Sequence, residues 1–170
     1  MDKPARTDAN RDERLHVTFI CTGNICRSVI AEKLFAAQIR QRGLENQVRV
    51  SSAGITGWFA HADTHALAVL AAHGYPTARH RPTRVGREHV RADLLVALAR
   101  RHAHTLTQLL GVPDERVRVL RSFDPAATAL DVTDPFGKTA ADFERAYGVI
   151  AAALPGLHRW VDARLKIHAA

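Results

Sequence analysis

Residues 15–28, LHVTFIC running directly into TGNICRS, constrain the architecture of this chain more than any other stretch. LHVTFIC is short, apolar and rich in β-branched and aromatic residues, which marks a buried strand. After the loop, Val29, Ile30, Lys33, Leu34, Ala37 and Ile39 recur at close to helical spacing, and Gly43 stands where that helix would end. The same alternation continues. VRVSSA at 48–53 reads as a second strand, followed by a Gly- and aromatic-containing connection over 54–62 that is long enough to carry function. An Ala/Leu-rich helix over 64–73 stops at Gly74 with Pro76 just beyond. DLLVALA at 93–99 is a third buried strand, and a helix over 101–110 is closed by Gly111 and Pro113. RVRVL at 116–120 alternates charged and apolar residues as an edge strand does. A turn-rich stretch over 122–136 leads to a last helix from about 139 to 166, which Pro155 and Gly156 are expected to bend or split. The fold class that follows is α/β: a four-stranded parallel sheet flanked by helices on both faces, with right-handed crossovers and a phosphate-binding loop after the first strand.

A chain of 170 residues with 46% hydrophobic and 24% charged residues suits one domain, here 15–168, preceded by a flexible tail over 1–14. No run approaches the roughly 20 apolar residues of a bilayer span, so no membrane association is expected. The opening MDKPARTDANRDERLH lacks an apolar segment of signal-peptide type, which predicts a cytoplasmic protein and leaves only export without a signal peptide. Cys21 and Cys26 are the sole cysteines, too close together for a structural disulfide framework, in keeping with a reducing compartment. A formal charge of +7 favours anionic partners. Twenty of the 24 cations are Arg scattered through every segment, with no aromatic-interleaved basic stripe, so nucleic acid is not expected as a partner.

In an open α/β sheet, ligands gather beyond the carboxyl ends of the strands, where helix N-termini offer free N–H groups. Residues 21–28 lie there. The backbone of Thr22, Gly23, Asn24, Ile25, Cys26 and Ser28 can wrap a tetrahedral anion, with Gly23 and Asn24 able to take left-handed conformations. Cys21 at the mouth would feel those amides and the following helix dipole, which favour thiolate and make it a nucleophile. Arg27 can hold two oxygens of the anion through its planar fork, and Ser28 can donate to the Cys21 sulfur as it leaves. A zinc half-site from Cys21 and Cys26 would need a second Cys pair or suitably spaced His, and neither is present, so no metal is expected.

The octet CTGNICRS, with Ala31-Glu32 in the first helix, Ser51-Ser52-Ala53-Gly54 after the second strand and Asp134-Pro135-Phe136 late in the chain, resembles the low-molecular-weight protein tyrosine phosphatases. It looks most similar to their actinobacterial secreted branch. The resemblance implies hydrolysis of phosphotyrosine proteins to inorganic phosphate through a cysteinyl-phosphate, by a monomer that uses no cofactor. It implies that Asp134 is the general acid, in preference to Asp124, which lacks a following aromatic residue. Asn24, Ser28, Ser52 and His80 would brace the loop, while Trp58 and Phe136 would wall the substrate cleft. Cys26 would be able to form a reversible disulfide with Cys21. Three departures stand out: Val29 where Pro is usual, Ala99 where Asp is common, and Phe136-Gly137 in place of adjacent tyrosines. Arsenate reductases on this fold relay a disulfide through a further Cys that this chain lacks, and an apolar Ile25 favours a phenyl phosphate over the guanidinium phosphate of the arginine phosphatases. A phosphotyrosine-binding pseudophosphatase would lack Cys, Arg or acid, and all three are present.

Overall fold

β1 (Leu15–Cys21) lies inside the sheet because it is buried on both faces from His16 onward and pairs on both edges. It runs parallel to β2 (Val48–Gly54), from Leu15 beside Val48 to Cys21 beside Gly54, and parallel to β3 (Leu94–Ala97) on its other side. β4 (Val117–Val119) closes the order β2-β1-β3-β4 as an edge strand. The computed structural model describes residues 12–77 and 79–167, so most of the tail expected over 1–14 lies outside the described residues.

Period-two alternation divides the core. Val17, Phe19 and Cys21 of β1, with Leu94, Val96 and Leu98, pack on one face against α1 (Arg27–Gln41), α2 (Thr64–Ala72) and α5 (Ala140–Leu165). Ile20, Leu95 and Ala97 point to the opposite face, where they meet residues of α3 (Arg87–Val90) and of α4 (Arg100–His104) with its π-helical continuation Thr105–Leu109. Helices thus cover both faces, and every strand delivers its carboxyl end to the same rim of the sheet.

The helix boundaries follow local chemistry. Asp63 caps α2 by accepting from the His65 N–H at 2.8 Å, and Thr139 and Asp142 form a reciprocal capping box on α5. Gly43 and Gly74 take φ of +67° and +80° just past α1 and α2, the left-handed turn that ends a helix. β3 is shorter than the seven residues expected: the Asp93 carboxylate accepts from the His16 N–H at 2.8 Å before the strand begins, and Ala99 already caps the next helix.

The last helix does not split at Pro155-Gly156. α5 runs unbroken for 26 residues. Pro155 sits on the exposed side, where the hydrogen bond it removes costs least. Gly156 faces inward: a Cβ there would stand 2.0 Å from the Phe123 carbonyl oxygen. The pair is therefore a close-packing device, read from sequence as a breaker.

Gly156→Ala is expected to lower stability by about 1–3 kcal/mol, because backbone has to move to admit the methyl group; urea unfolding monitored by circular dichroism measures it. Burial also pushes the His16 and His158 imidazoles down to about 4 and that of His102 down to about 3. These groups stay neutral in the fold while the unfolded chain takes up their protons near pH 6.5. Stability is accordingly complete above pH 6.5 and falls as pH drops, before ordinary carboxylates begin to titrate. The melting temperature should decrease by about 3 °C or more between pH 6.5 and 5.5, and a flat profile would contradict this.

Candidate active site

The loop between β1 and α1 is held from outside through its carbonyls. Cys21 O accepts from Ile55 N at 3.0 Å, Thr22 O from Thr56 N at 2.8 Å, Ile25 O from Asp63 N at 2.9 Å, and Cys26 O from Ile30 N at 3.1 Å. His80 Nε2 donates to Asn24 O at 2.8 Å. Among the described residues, no N–H group from Thr22 to Arg27 donates a hydrogen bond to the protein. Turning the carbonyls outward leaves six successive donors for an anion, at the N-terminus of a fifteen-residue helix.

Asn24 makes the turn. Its φ is +56°, a left-handed value that Asn tolerates better than most residues. Its side-chain amide donates to Ser28 Oγ and to Ser52 Oγ, both at 2.8 Å, and its Oδ1 accepts from Thr83 N at 3.0 Å. The segment carrying His80 and Thr83 reaches the loop because Gly54 N bonds Thr83 O and Val85 N bonds Gly54 O, extending the edge of β2. Gly54 has to be glycine, since a Cβ would lie within 2.8 to 2.9 Å of Gly23 C, Thr22 O and Asn24 N.

Beneath this network lies Glu32, whose role the sequence did not reveal. Ser52 Oγ donates to its carboxylate, and His80 Nδ1 is 3.6 Å away. Burial opposes its charge, yet His80, Lys33 and Ser52 together hold its carboxyl below the usual range. Glu32 follows the loop by one helical turn from Ser28, and that spacing is the signal that could have found it.

The reactive groups meet in a cavity of about 70 Å³ lined by Cys21, Thr22, Gly23, Ile25, Cys26 and Arg27 below, and by Phe59, Asp134 and Phe136 above. Cys21 is buried, and its Sγ is 2.9 Å from Ser28 Oγ. Because Asn24 donates to that hydroxyl, the Ser28 hydrogen is free to turn to sulfur. Arg27 is 3% exposed; its Nη1 donates to Val132 O at 2.9 Å, and its Nη2 is 3.4 Å from Asp134 Oδ2. Asp134 is half-exposed and accepts from the Phe136 N–H at 3.1 Å, which fixes the carboxylate over the cavity. Asp124 is engaged elsewhere, accepting from Ala126 N. Burial pushes the Cys26 thiol up, with the nearby Asp63 and Cys21 adding to the effect, so Cys26 stays a neutral thiol beside Cys21.

The aromatic walls differ from expectation. Trp58 is 85% exposed and does not line the cavity, whereas its neighbour Phe59 does. The Phe59 ring lies over Gly23, where a Cβ would come within 2.6 Å of it, and meets Phe136 edge-on at 5.9 Å. In this loop Phe59 turns into the cavity and Trp58 turns to solvent. On the far side, Thr22 Oγ1 bonds His102 Nε2 at 2.9 Å and accepts from Arg101 Nη2 at 3.0 Å. His102 is buried and held neutral by burial, with Arg27 and Arg101 opposing a second charge. Ala99 begins α4 without a side-chain cap, so the position adds no charge. Val29 is fully buried in the first turn of α1, filling the core where a Pro ring would otherwise pack. Among the described residues, no three His, Cys, Asp or Glu side chains converge as a metal site.

The family model for low molecular weight phosphotyrosine protein phosphatase matches residues 16–167. The chain is 60% identical over 155 residues to Low molecular weight protein-tyrosine phosphatase A of Mycobacterium tuberculosis, covering 89% of this chain and 94% of that protein. It is 40% identical over 159 residues to a low molecular weight protein-tyrosine-phosphatase of Streptomyces coelicolor, covering 83% and 90%. The YwlE arginine phosphatase from Geobacillus stearothermophilus superposes with a TM-score of 0.77 at 26% identity, covering 92% of this chain and 99% of that one.

Asn24→Ala removes three side-chain hydrogen bonds and strains the left-handed turn. It should weaken binding of inorganic phosphate at least tenfold, read as lost protection against thermal unfolding. Glu32→Ala should do the same to a lesser degree.

Proposed function

The chain belongs to the low molecular weight phosphotyrosine protein phosphatases, and from that premise we propose that it hydrolyses phosphotyrosine in proteins with Cys21 as nucleophile, Arg27 as clamp and Asp134 as acid. One observation carries the assignment: Cys21 Sγ lies at the floor of a cradle of unpaired N–H groups, with a buried guanidinium and an Asp carboxylate 3.4 Å from each other on the same cavity.

In the first displacement, the Cys21 sulfur attacks phosphorus in line, the P–O bond to the tyrosine ring breaks, and Asp134 passes its proton to the departing oxygen. Arg27 and the loop amides hold the three equatorial oxygens, on which charge spreads, in a setting that needs no reorganisation. In the second, Asp134 takes a proton from water, whose oxygen attacks phosphorus and frees inorganic phosphate. Ser28 donates to sulfur as the S–P bond breaks. Cys21 has to be free of any disulfide for this, and a reducing compartment such as the cytoplasm would keep it so.

Fold likeness extends to an arginine phosphatase, so the ring pocket decides between leaving groups. Ile25, Phe59 and Phe136 give it an apolar lining that suits a phenyl ring better than a polar guanidinium. No helix among the described residues is long and apolar enough to cross a membrane.

Cys21→Ser should abolish release of phosphate from phosphotyrosine peptides. Asp134→Ala should lower kcat by about 10²–10⁴-fold on such peptides and less on para-nitrophenyl phosphate, whose better leaving group needs less protonation. Equal losses on both substrates would contradict the acid role. Faster release of phosphate from phosphoarginine than from phosphotyrosine peptides would overturn the substrate assignment.

A further inference from the structure

Arg100 and Arg101 stand side by side at the start of α4 and are used differently. Arg100 is committed: its N–H and Nε both bond Asp131 Oδ1, and its Nη2 reaches Asp131 Oδ2 at 3.2 Å. Arg101 makes both of its contacts through a single nitrogen, Nη2, which donates to Thr22 Oγ1 at 3.0 Å and lies 3.8 Å from Asp134 Oδ2. Its side chain is 63% exposed, and among the described residues its Nε and Nη1 have no protein partner.

Thr22 and Asp134 both line the catalytic cavity, so an exposed guanidinium that touches both sits at its lip. We propose that Arg101 reads substrate sequence by pairing, through a free Nε or Nη1 hydrogen, with a carboxylate on a residue next to the phosphotyrosine. This rests on the phosphotyrosine phosphatase reading above and adds to it the chemical character of the preferred substrate. The Nε–H and the Nη1 hydrogens lie on different edges of the guanidinium, so each can donate one charge-assisted hydrogen bond to a carboxylate. His102, buried behind Thr22 and bonded to its hydroxyl, keeps the other anchor of Arg101 in place.

The test uses pairs of phosphotyrosine peptides that differ only in Glu or Lys beside the phosphotyrosine, on either side, and reads the ratio of kcat/KM within each pair. A ratio cancels whatever a substitution does to the enzyme's own rate. The +7 net charge gives any acidic peptide some background advantage, so the diagnostic is the change in ratio between variants. For one flank, wild type should favour Glu by about five-fold, as an exposed rim pair allows. The ratio should fall in Arg101→Gln and drop at least about five-fold from wild type in Arg101→Glu. The wild-type preference should also shrink at high salt. A ratio that stays within about two-fold of wild type in Arg101→Glu on both flanks overturns the inference while leaving the phosphatase reading intact. Failure to cleave either peptide, with phosphoarginine peptides cleaved, overturns both.

Discussion

The left-handed turn at Asn24 is the constraint on which the rest of the site depends. A non-glycine residue at φ +56° is strained by roughly 1–2 kcal/mol, and four hydrogen bonds to Ser28, Ser52, Thr83 and His80 offset it. Because the turn is fixed, the loop carbonyls face the surrounding protein and the N–H groups are left for an oxyanion. Because the same side chain occupies Ser28 Oγ, the Ser28 hydrogen is directed to the nucleophile. Strain, anion binding and sulfur chemistry are therefore one arrangement.

The sheet supplies the precision that the loop needs. β1 is paired with β2 along its length and with β3 from Val17 to Ile20, so Cys21 leaves a rigid platform, and β2 runs beside it to Gly54, whose missing side chain lets backbone touch backbone. Glu32 then ties α1 to β2 and to the 79–85 segment through Ser52 and His80. A buried carboxylate is costly alone, and its hydrogen-bonded partners make it tolerable here. The acid arrives from a different quarter, on the connection before α5, and it meets Arg27 only across the cavity.

Much of this was legible from sequence because it is local. The order of strands and helices follows from periodicity and from Gly43, Gly74 and Gly111, and the loop residues are contiguous, so their relation to one another needs no tertiary knowledge. What was not legible depends on distant segments meeting. Ala31-Glu32 stands in the sequence as a motif without a role, and the role of Glu32 emerges only when β2 and the His80 segment are placed over it. Phe59 and Trp58 are equivalent in a string, and only the packing over Gly23 selects Phe59. Pro155-Gly156 carries the signature of a helix break, and only the closeness of Phe123 shows why glycine is required there. Arg101 looks like one of twenty scattered arginines until Thr22 and Asp134 are seen on either side of it.

The central claim is that phosphate passes through sulfur on Cys21. Acid-quenching the enzyme during turnover of a phosphotyrosine peptide, followed by peptide mapping with mass spectrometry, tests it most directly. A phosphoryl group is expected on the peptide containing Cys21 and Cys26, localised to Cys21 and absent when Cys21 is replaced by Ser. A phosphoryl group on any other residue, or turnover that persists without Cys21, would contradict it.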